Sequence, residues 1–170
     1  MKGASTTIHI SKEYLHFSAA HFTIFSKTRR EDLHGHTFYV SAVIDCSTGE
    51  NGLAFDYNLV KTALKKMCDK LDEKVLLPEH SPFLELRSEK DYFIASFDNE
   101  KIPFLHRDVL TMPLRNITAE ELSNWFLENL REELNDIVDG ISGLVVRVSS
   151  GPGQWAEAKW EVSKDSGTSS

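Results

Sequence analysis

Hydrophobic and polar residues alternate along two stretches in the first third of the chain, and this alternation predicts β-strands. Residues 7–25 are rich in β-branched and aromatic types and predict one long strand. Residues 36–46 predict a second strand, which a polar loop at 26–33 separates from the first. A tight turn and a short strand at 53–55 follow. The two long strands would therefore pair as an antiparallel hairpin.

Further along the chain, apolar residues recur every three to four positions instead of every second position, and this spacing predicts two amphipathic helices. The first covers residues 58–72, and the second begins at Thr118, where the pair Thr118 and Glu121 has the spacing of a capping box. The apolar stripe of the first helix consists of Val60, Leu64, Met67 and Leu71, and that of the second consists of Leu122, Phe126, Leu130 and Leu134.

The connection between the helices, residues 73–117, is too long for a plain loop. Within it, residues 92–97 and 102–105 flank a polar turn and predict an inserted β-hairpin. After the second helix, residues 144–148 and 156–162 predict two final strands around a Gly-Pro-Gly turn.

This order of elements predicts an α+β fold in which two helices pack on one face of an antiparallel sheet. We expect one domain over residues 1–162, with 73–117 as its insertion. The polar tail 163–170 is expected to be disordered.

Composition excludes several classes of function. The formal net charge of −7 argues against a nucleic-acid-binding protein, which normally carries a basic face. No apolar run approaches the roughly 18 residues that span a bilayer, so no membrane partner is expected. The two cysteines, Cys46 and Cys68, do not form a disulfide framework, and we expect a reducing, cytoplasmic location.

Three histidines carry the candidate chemistry. His34 and His36 stand at i and i+2 in the second strand, so their rings share one face, and His21 in the first strand can meet them across the hairpin. Three neutral imidazoles with one open position are typical of a catalytic zinc. A cupin also uses a His-x-His pair but adds a glutamate a few residues later, and residues 37–44 contain none.

The residues around these histidines resemble a known family. Phe17-Ser18-Ala19-Ala20-His21 and Leu33-His34-Gly35-His36 are similar to the zinc site of the 6-pyruvoyltetrahydropterin and 6-carboxytetrahydropterin synthases. Three further segments match in register: Gly52–Tyr57 before the first helix, Lys70-Leu71-Asp72 at its end, and Ile117–Leu122 at the second helix. The resemblance covers nearly the whole chain.

This resemblance implies the tunnelling fold, a four-stranded antiparallel sheet with two helices on one side. Three subunits would close a barrel, and two such trimers would stack into a hexamer with active sites between subunits. His21, His34 and His36 would bind zinc, and the zinc would bind the side-chain hydroxyls of a small pterin-like substrate. Thr118 would contribute to the floor of the pocket, although its role as a helix cap is a sufficient reason for its presence.

The chain departs from the family where the acid–base groups are expected. Arg30 stands four residues before His34, in the region where the family usually has its proton-abstracting cysteine. Glu31 fits the Glu-x-x-His-Gly-His spacing of a branch that uses a glutamate instead, but it is equally compatible with a solvated loop charge. The family's Asp–His relay becomes Asp72 and Glu73, which suit a helix-end charge pair at least as well.

The pterin anchor differs too. The family holds the ring N–H groups with a glutamate before a Thr-Pro-Gly turn, and alignment on Pro152-Gly153 puts Ser150 there. A serine cannot accept two donors as a carboxylate does, so pterin affinity should fall or the ligand should differ. Gln154 and Glu157 are candidates for compensation.

The sequence therefore favours a zinc-dependent carbon–oxygen lyase of the pterin synthase type, acting on dihydroneopterin triphosphate or a relative. Glu31, Asp72 and Glu73 are the catalytic candidates, and Thr118 and Ser150 are the substrate-binding candidates. The alternatives are a paralogue with another substrate, an aldolase-like enzyme that cleaves the side chain, and a non-catalytic protein that binds zinc or a ligand.

Overall fold

The structure is a computed structural model that describes residues 4–135 and 140–162. Its helices are α1 (Tyr57–Leu71) and α2 (Ala119–Asn135). Its strands are β1 (Ser5–His21), β2 (Ile24–Ser26), β3 (Arg29–Arg30), β4 (His34–Ser47), β5 (Lys74–Pro78), β6 (Leu84–Ser88), β7 (Phe93–Phe97), β8 (Glu100–Phe104), β9 (Val109–Met112), β10 (Ile141–Gly151) and β11 (Gln154–Glu161). The tail predicted to be disordered lies outside the described residues.

The main sheet has the strand order β11-β10-β4-β1-β5-β9. Its first four strands pair antiparallel, which confirms the predicted four-stranded sheet. β5 and β9 extend this sheet in parallel, and neither strand was predicted. Their segments are short apolar runs without alternation, which periodicity alone cannot assign to a strand.

Both helices cover the same face of the sheet. The two predicted apolar stripes are buried over their full length, which confirms the helical spacing. Phe126 of α2 is fully buried and stacks on Phe17 of β1 with ring centroids 5.9 Å apart. Phe17 in turn stacks on Phe38 of β4 at 5.0 Å, so aromatic packing joins the helix to the two strands that carry the histidines.

Helix α1 begins where a side chain caps it. The carboxylate of Asp56 accepts a hydrogen bond from the backbone N–H of Asn58 at 2.9 Å. The predicted strand at 53–55 is wrong, because these residues pair with no strand of the described sheets and lead straight into this cap. At α2, the hydroxyl of Thr118 accepts from the backbone N–H of Glu121 at 3.3 Å, as the capping-box spacing predicts.

The insertion forms a second, smaller sheet. The predicted hairpin is β7 and β8, and β6 adds a third antiparallel strand that was not predicted. The first strand ends at His21 instead of residue 25, and part of the predicted loop pairs as the short hairpin β2–β3. A second apolar cluster lies there and consists of Phe22, Ile24, Leu77, Leu84, Ala95 and Phe97.

Candidate metal centre and active site

The three predicted histidines meet at one end of the β1–β4 pair. His21 lies opposite His34, and Ala19 lies opposite His36, so alternation brings all three rings to the face that the helices cover. One ring nitrogen from each histidine lies within 4.8 Å of the other two. His16 lies on the exposed side of β1, as its position in the strand predicts.

Backbone carbonyl groups orient two of the rings. Nδ1 of His21 lies 2.9 Å from the carbonyl oxygen of Ile117, and Nδ1 of His34 lies 2.8 Å from that of Asp32. Because a carbonyl oxygen only accepts, each Nδ1 carries its ring's hydrogen and each Nε2 keeps a free lone pair. This arrangement is usual for histidines that bind a metal through Nε2.

The donor set fits a zinc ion. Nε2 of His21 is buried and has no hydrogen-bond partner in the described part of the chain, and Nε2 of His34 and His36 are 3.0 Å apart. Two imidazole nitrogens on one tetrahedral zinc lie roughly 3.3 Å apart. Burial lowers the pKa of His21 below its ordinary value, and the neighbouring rings of His34 and His36 add to this although the Ile117 carbonyl opposes it. A neutral His21 leaves its lone pair available to a metal.

The histidines lie in a cavity of about 590 Å³. It contains the candidates Glu31, Thr118 and Ser150 and is also lined by Thr23, Phe38, Ala119, Glu120, Gln154, Trp155 and Ala156. The described chain contributes no lysine or arginine to its lining. Asp72 and Glu73 do not line it either.

Glu31 is positioned next to the metal centre. Its Oε2 lies 3.9 Å from Nε2 of His34 and accepts a hydrogen bond from the backbone N–H of Thr23 at 2.9 Å. The Glu31 N–H in turn donates to the carbonyl oxygen of Thr23 at 2.9 Å. Partial burial raises the pKa of the Glu31 carboxyl, but the Thr23 donors and the nearby rings of His34 and His21 outweigh burial, so this pKa is lower than usual. An ionised carboxylate therefore lies beside Nε2 of His34, in the same cavity as the other two histidines.

Within one chain, Asp72 and Glu73 lie outside the metal-site cavity. The Asp72 carboxylate accepts from the Ser18 backbone N–H at 2.7 Å, and the Glu73 N–H donates to the Ser18 carbonyl oxygen at 2.7 Å. Glu73 has a positive φ of 57° and lines another cavity, together with Gly35 and Thr37. Gly35 and Thr37 alternate with the metal-site histidines along β4, so their part of this cavity is on the opposite face of the sheet, while His36 lines both cavities.

The outer part of the metal-site cavity is formed by the start of α2 and the β10–β11 turn. Ser150 lies two residues after the buried Val148, on the same face of β10, and its hydroxyl is 3.4 Å from the side-chain nitrogen of Gln154. Glu157 does not line the cavity, because its carboxylate pairs with Arg147 and with Lys159, at 2.6 and 2.9 Å. Of the two candidates for compensation, only Gln154 is in place.

Neither cysteine is available for proton abstraction. Cys46 and Cys68 are both buried, and neither lines the cavity. Burial raises the pKa of the Cys46 thiol above its ordinary value and raises that of Cys68 to about 12.

Comparison with known proteins assigns the chain to a family. Residues 9–161 match the profile of the family described as 6-pyruvoyl tetrahydropterin synthase. The chain belongs to the 6-pyruvoyl tetrahydropterin synthase family. A relative from Methanocaldococcus jannaschii, named "Putative 6-carboxy-5,6,7,8-tetrahydropterin synthase", is 30% identical over 146 residues, which are 84% of this chain and 88% of that protein.

Two solved structures of this family share the fold. The 6-pyruvoyl tetrahydropterin synthase of Plasmodium falciparum has a TM-score of 0.86 and 28% identity, over 94% of this chain and 99% of that one. A variant of the Plasmodium vivax enzyme, in which a glutamate termed a catalytic residue is replaced by alanine, has a TM-score of 0.86 and 27% identity over the same shares. The tunnelling fold and the pterin synthase type expected from the sequence are thereby confirmed.

Sequence reasoning missed several contributors to the site. Thr23 and Ile117 position Glu31 and His21 through backbone atoms, and a backbone contact cannot be predicted from the type of side chain. Glu120 and Trp155 line the cavity through their places at the start of α2 and of β11. Trp155 is 59% exposed, and the signal that the sequence offered for it was a tryptophan two residues after a Pro-Gly turn.

Proposed function

We propose that this protein is a zinc-dependent lyase that acts on the side chain of a dihydropterin, with Glu31 as the base that removes a proton. The observation that carries the proposal is the position of the Glu31 carboxylate, 3.9 Å from Nε2 of His34 within the same cavity as all three histidines.

His21, His34 and His36 are the residues that would hold the zinc. The bound ion would supply a Lewis acid that acidifies a side-chain hydroxyl and eases loss of the neighbouring C–H proton. The carbonyl groups of Ile117 and Asp32 keep two of these rings aimed at the site.

Glu31 has the properties that a general base needs. Its carboxylate is ionised near neutral pH, as that of an ordinary glutamate is, and the Thr23 N–H fixes one carboxylate oxygen. The other oxygen, Oε1, makes no hydrogen bond within the described residues and is free to take a proton. The catalytic glutamate of the Plasmodium vivax relative supports this role for Glu31.

The outer part of the cavity suits a flat, polar ring. Trp155 offers an apolar surface for stacking, and Thr118, Glu120 and Ser150 offer oxygen atoms at the same end. Because Ser150 replaces the expected carboxylate, we propose that pterin binding relies on this mixed set and is weaker than a glutamate anchor would make it.

Two bond cleavages fit this machinery. Elimination of triphosphate from dihydroneopterin triphosphate breaks a carbon–oxygen bond, and its leaving group is highly charged. A retro-aldol cleavage of the side chain breaks a carbon–carbon bond and needs only the metal and a base. The absence of lysine and arginine from the lining that the described chain provides favours this second candidate.

The assembly is also a proposal. A trimer or hexamer would fit the fold, and a neighbouring copy could then bring phosphate-binding or relay groups to the cavity. Asp72 and Glu73 keep their candidate role only in this way, because within one chain neither residue lines the metal-site cavity and Glu73 lines another one. The cytoplasmic location stays a prediction. Within the described residues, no helix is long and apolar enough to cross a membrane.

The test is to incubate zinc-loaded protein with dihydroneopterin triphosphate and to determine product masses. Release of triphosphate with a retained three-carbon chain indicates the elimination, and release of a two-carbon fragment indicates the cleavage. We expect Glu31→Gln to reduce turnover at least about 100-fold with zinc still bound. Asp32→Asn is the matched control, because Asp32 contacts His34 only through its backbone carbonyl. Pterin binding without turnover in the parent protein would instead support the non-catalytic alternative.

A further inference from the structure

Arg30, the residue before Glu31, is enclosed to an unusual degree for a residue of a short hairpin. Its side chain is 16% exposed. The guanidinium carbon lies 5.0 Å from the ring centre of Phe22 and 5.7 Å from that of Phe97. Buried arginines usually need every donor paired, yet Nε of Arg30 has no partner among the residues that the structure describes. An apolar side chain would fill this space without leaving a buried donor unpaired, so packing alone does not explain an arginine here.

The two ends of the guanidinium join two parts of the fold. One terminal nitrogen donates to the carbonyl oxygen of Glu31 at 2.8 Å, and the other donates to a carboxylate oxygen of Glu100 at 3.0 Å. Phe97 and Glu100 belong to β7 and β8, so the inserted sheet contacts the backbone of Glu31 through this one side chain.

We infer that Arg30 is a positioning residue for Glu31, and this inference rests on the proposed role of Glu31 as the base. Thr23 fixes the N–H and one carboxylate oxygen of Glu31, and Arg30 fixes its carbonyl oxygen. The carboxylate is thereby held beside His34. The inserted sheet is part of the catalytic apparatus because it holds Arg30 in place, through the Phe97 ring and the Glu100 carboxylate.

Of the two basic side chains, arginine is the one suited to both hydrogen bonds. Its planar fork can donate to two acceptors that lie on opposite sides, whereas a lysine has a single nitrogen. Arg29 is the natural comparison, because it is exposed and its guanidinium lies 4.5 Å from the ring centre of Phe25 without any contact to Glu31.

The experiment compares Arg30→Met, Arg30→Lys and the control Arg29→Met, each alone and combined with Glu31→Gln. Methionine keeps the apolar packing and removes the unpaired Nε, so we expect the thermal midpoint to stay within about 3 °C of the parent value. Turnover should fall about 10-fold in both Arg30 variants, with KM little changed, since a misplaced base slows chemistry and not binding. Arg29→Met should leave turnover unchanged.

The double variants decide whether Arg30 acts through Glu31. In the Glu31→Gln background, Arg30→Met should have no further effect on the residual turnover. An equal loss in both backgrounds, or full turnover in both Arg30 variants, would overturn the inference.

A second measurement separates this inference from the proposed function. If the parent protein turns over no pterin, amide hydrogen exchange of Glu31 still reports whether Arg30 orders it. Exchange at least about 10-fold faster in Arg30→Met, with zinc content retained and Arg29→Met unchanged, would support the positioning contact. Unchanged exchange would remove it.

Discussion

The Nδ1 atom of His21 lies 2.9 Å from the carbonyl oxygen of Ile117, a residue 96 positions later in the chain. Ile117 stands two residues before α2 begins. The loop into α2 thus fixes the orientation of a ring on β1, and the lone pair of that ring points at the other two histidines before any metal arrives. The centre is therefore preformed, which gives the first prediction.

Replacement of His36 by alanine should abolish stable zinc binding. Two remaining imidazoles are one protein ligand fewer than the three that a catalytic zinc usually has, so zinc content should fall from about one ion per chain to near zero after dialysis. His9→Ala is the control, because His9 lies on β1 and is exposed. Metal analysis of both purified variants measures the difference. Full zinc retention in His36→Ala would show that the three-histidine assignment is wrong.

Removal of the metal should also lower the stability of the parent protein. A ligand that binds only the folded state raises its apparent stability, so a chelator should reduce the thermal midpoint of the parent and leave that of His36→Ala unchanged. An equal shift in both proteins would point to another metal site.

Restoring a carboxylate at position 150 should tighten pterin binding. Ser150→Glu would supply an acceptor for two ring N–H donors, and charge-assisted hydrogen bonds of this kind justify an improvement of about 10-fold in Kd for neopterin. Ser150→Gln matches the length without the charge and should improve binding less. Titration calorimetry measures both. The anchor argument fails if glutamine performs as well as glutamate.

Because the thiol of Cys68 is buried, we expect the protein to lose stability at alkaline pH. Burial raises its pKa from an ordinary value of 9.0 to about 12, so the folded protein keeps the thiol proton while the unfolded chain releases it. The unfolded state is therefore favoured increasingly as pH rises from about 9 towards about 12. The free energy of unfolding in urea should fall less steeply over this range in Cys68→Ala than in the parent. Parallel slopes would contradict the shifted pKa.

Because Phe126 packs on Phe17, truncation of the Phe126 side chain should cause a large loss of stability. Phe126→Ala leaves a cavity beneath α2 and should lower the free energy of unfolding by about 3–5 kcal/mol. Glu132→Ala lies on the exposed side of the same helix and should change it by less than about 0.5 kcal/mol. Urea unfolding curves compare the two. Similar midpoints would mean that the ring packing is not as described.

The sequence predicted the elements whose side-chain pattern repeats. The stripes of α1 and α2 and the shared face of His34 and His36 follow from local spacing, so they were found correctly. β5 and β9 were missed because their runs are short and apolar. Glu31 was weighed equally as a base and as a surface charge, and its contact with Thr23 could not be foreseen because it depends on a backbone N–H.

Contacts distant in sequence explain the rest. Arg30 bonds to Glu100, 70 residues later, and Asn116 bonds to both backbone groups of Ile24, 92 residues earlier. Such pairings depend on how the insertion packs against the rest of the chain. The pattern of hydrophobic and polar residues does not determine this packing. The roles of Asp72 and Glu73 stay predictions, because within one chain neither residue lines the metal-site cavity.

The strand β5 joins two apolar clusters through adjacent residues. Leu76 and Leu77 are both fully buried, the first within the main cluster under the helices and the second within the cluster of the insertion. Because successive residues of a strand point to opposite faces, β5 cannot leave either cluster without exposing apolar surface in both. We therefore expect the sheet and the insertion to unfold as a single cooperative unit. Phe22 and Ile24 belong to the second cluster, so we expect the segment that leads from them to Glu31 to open only when that whole unit opens.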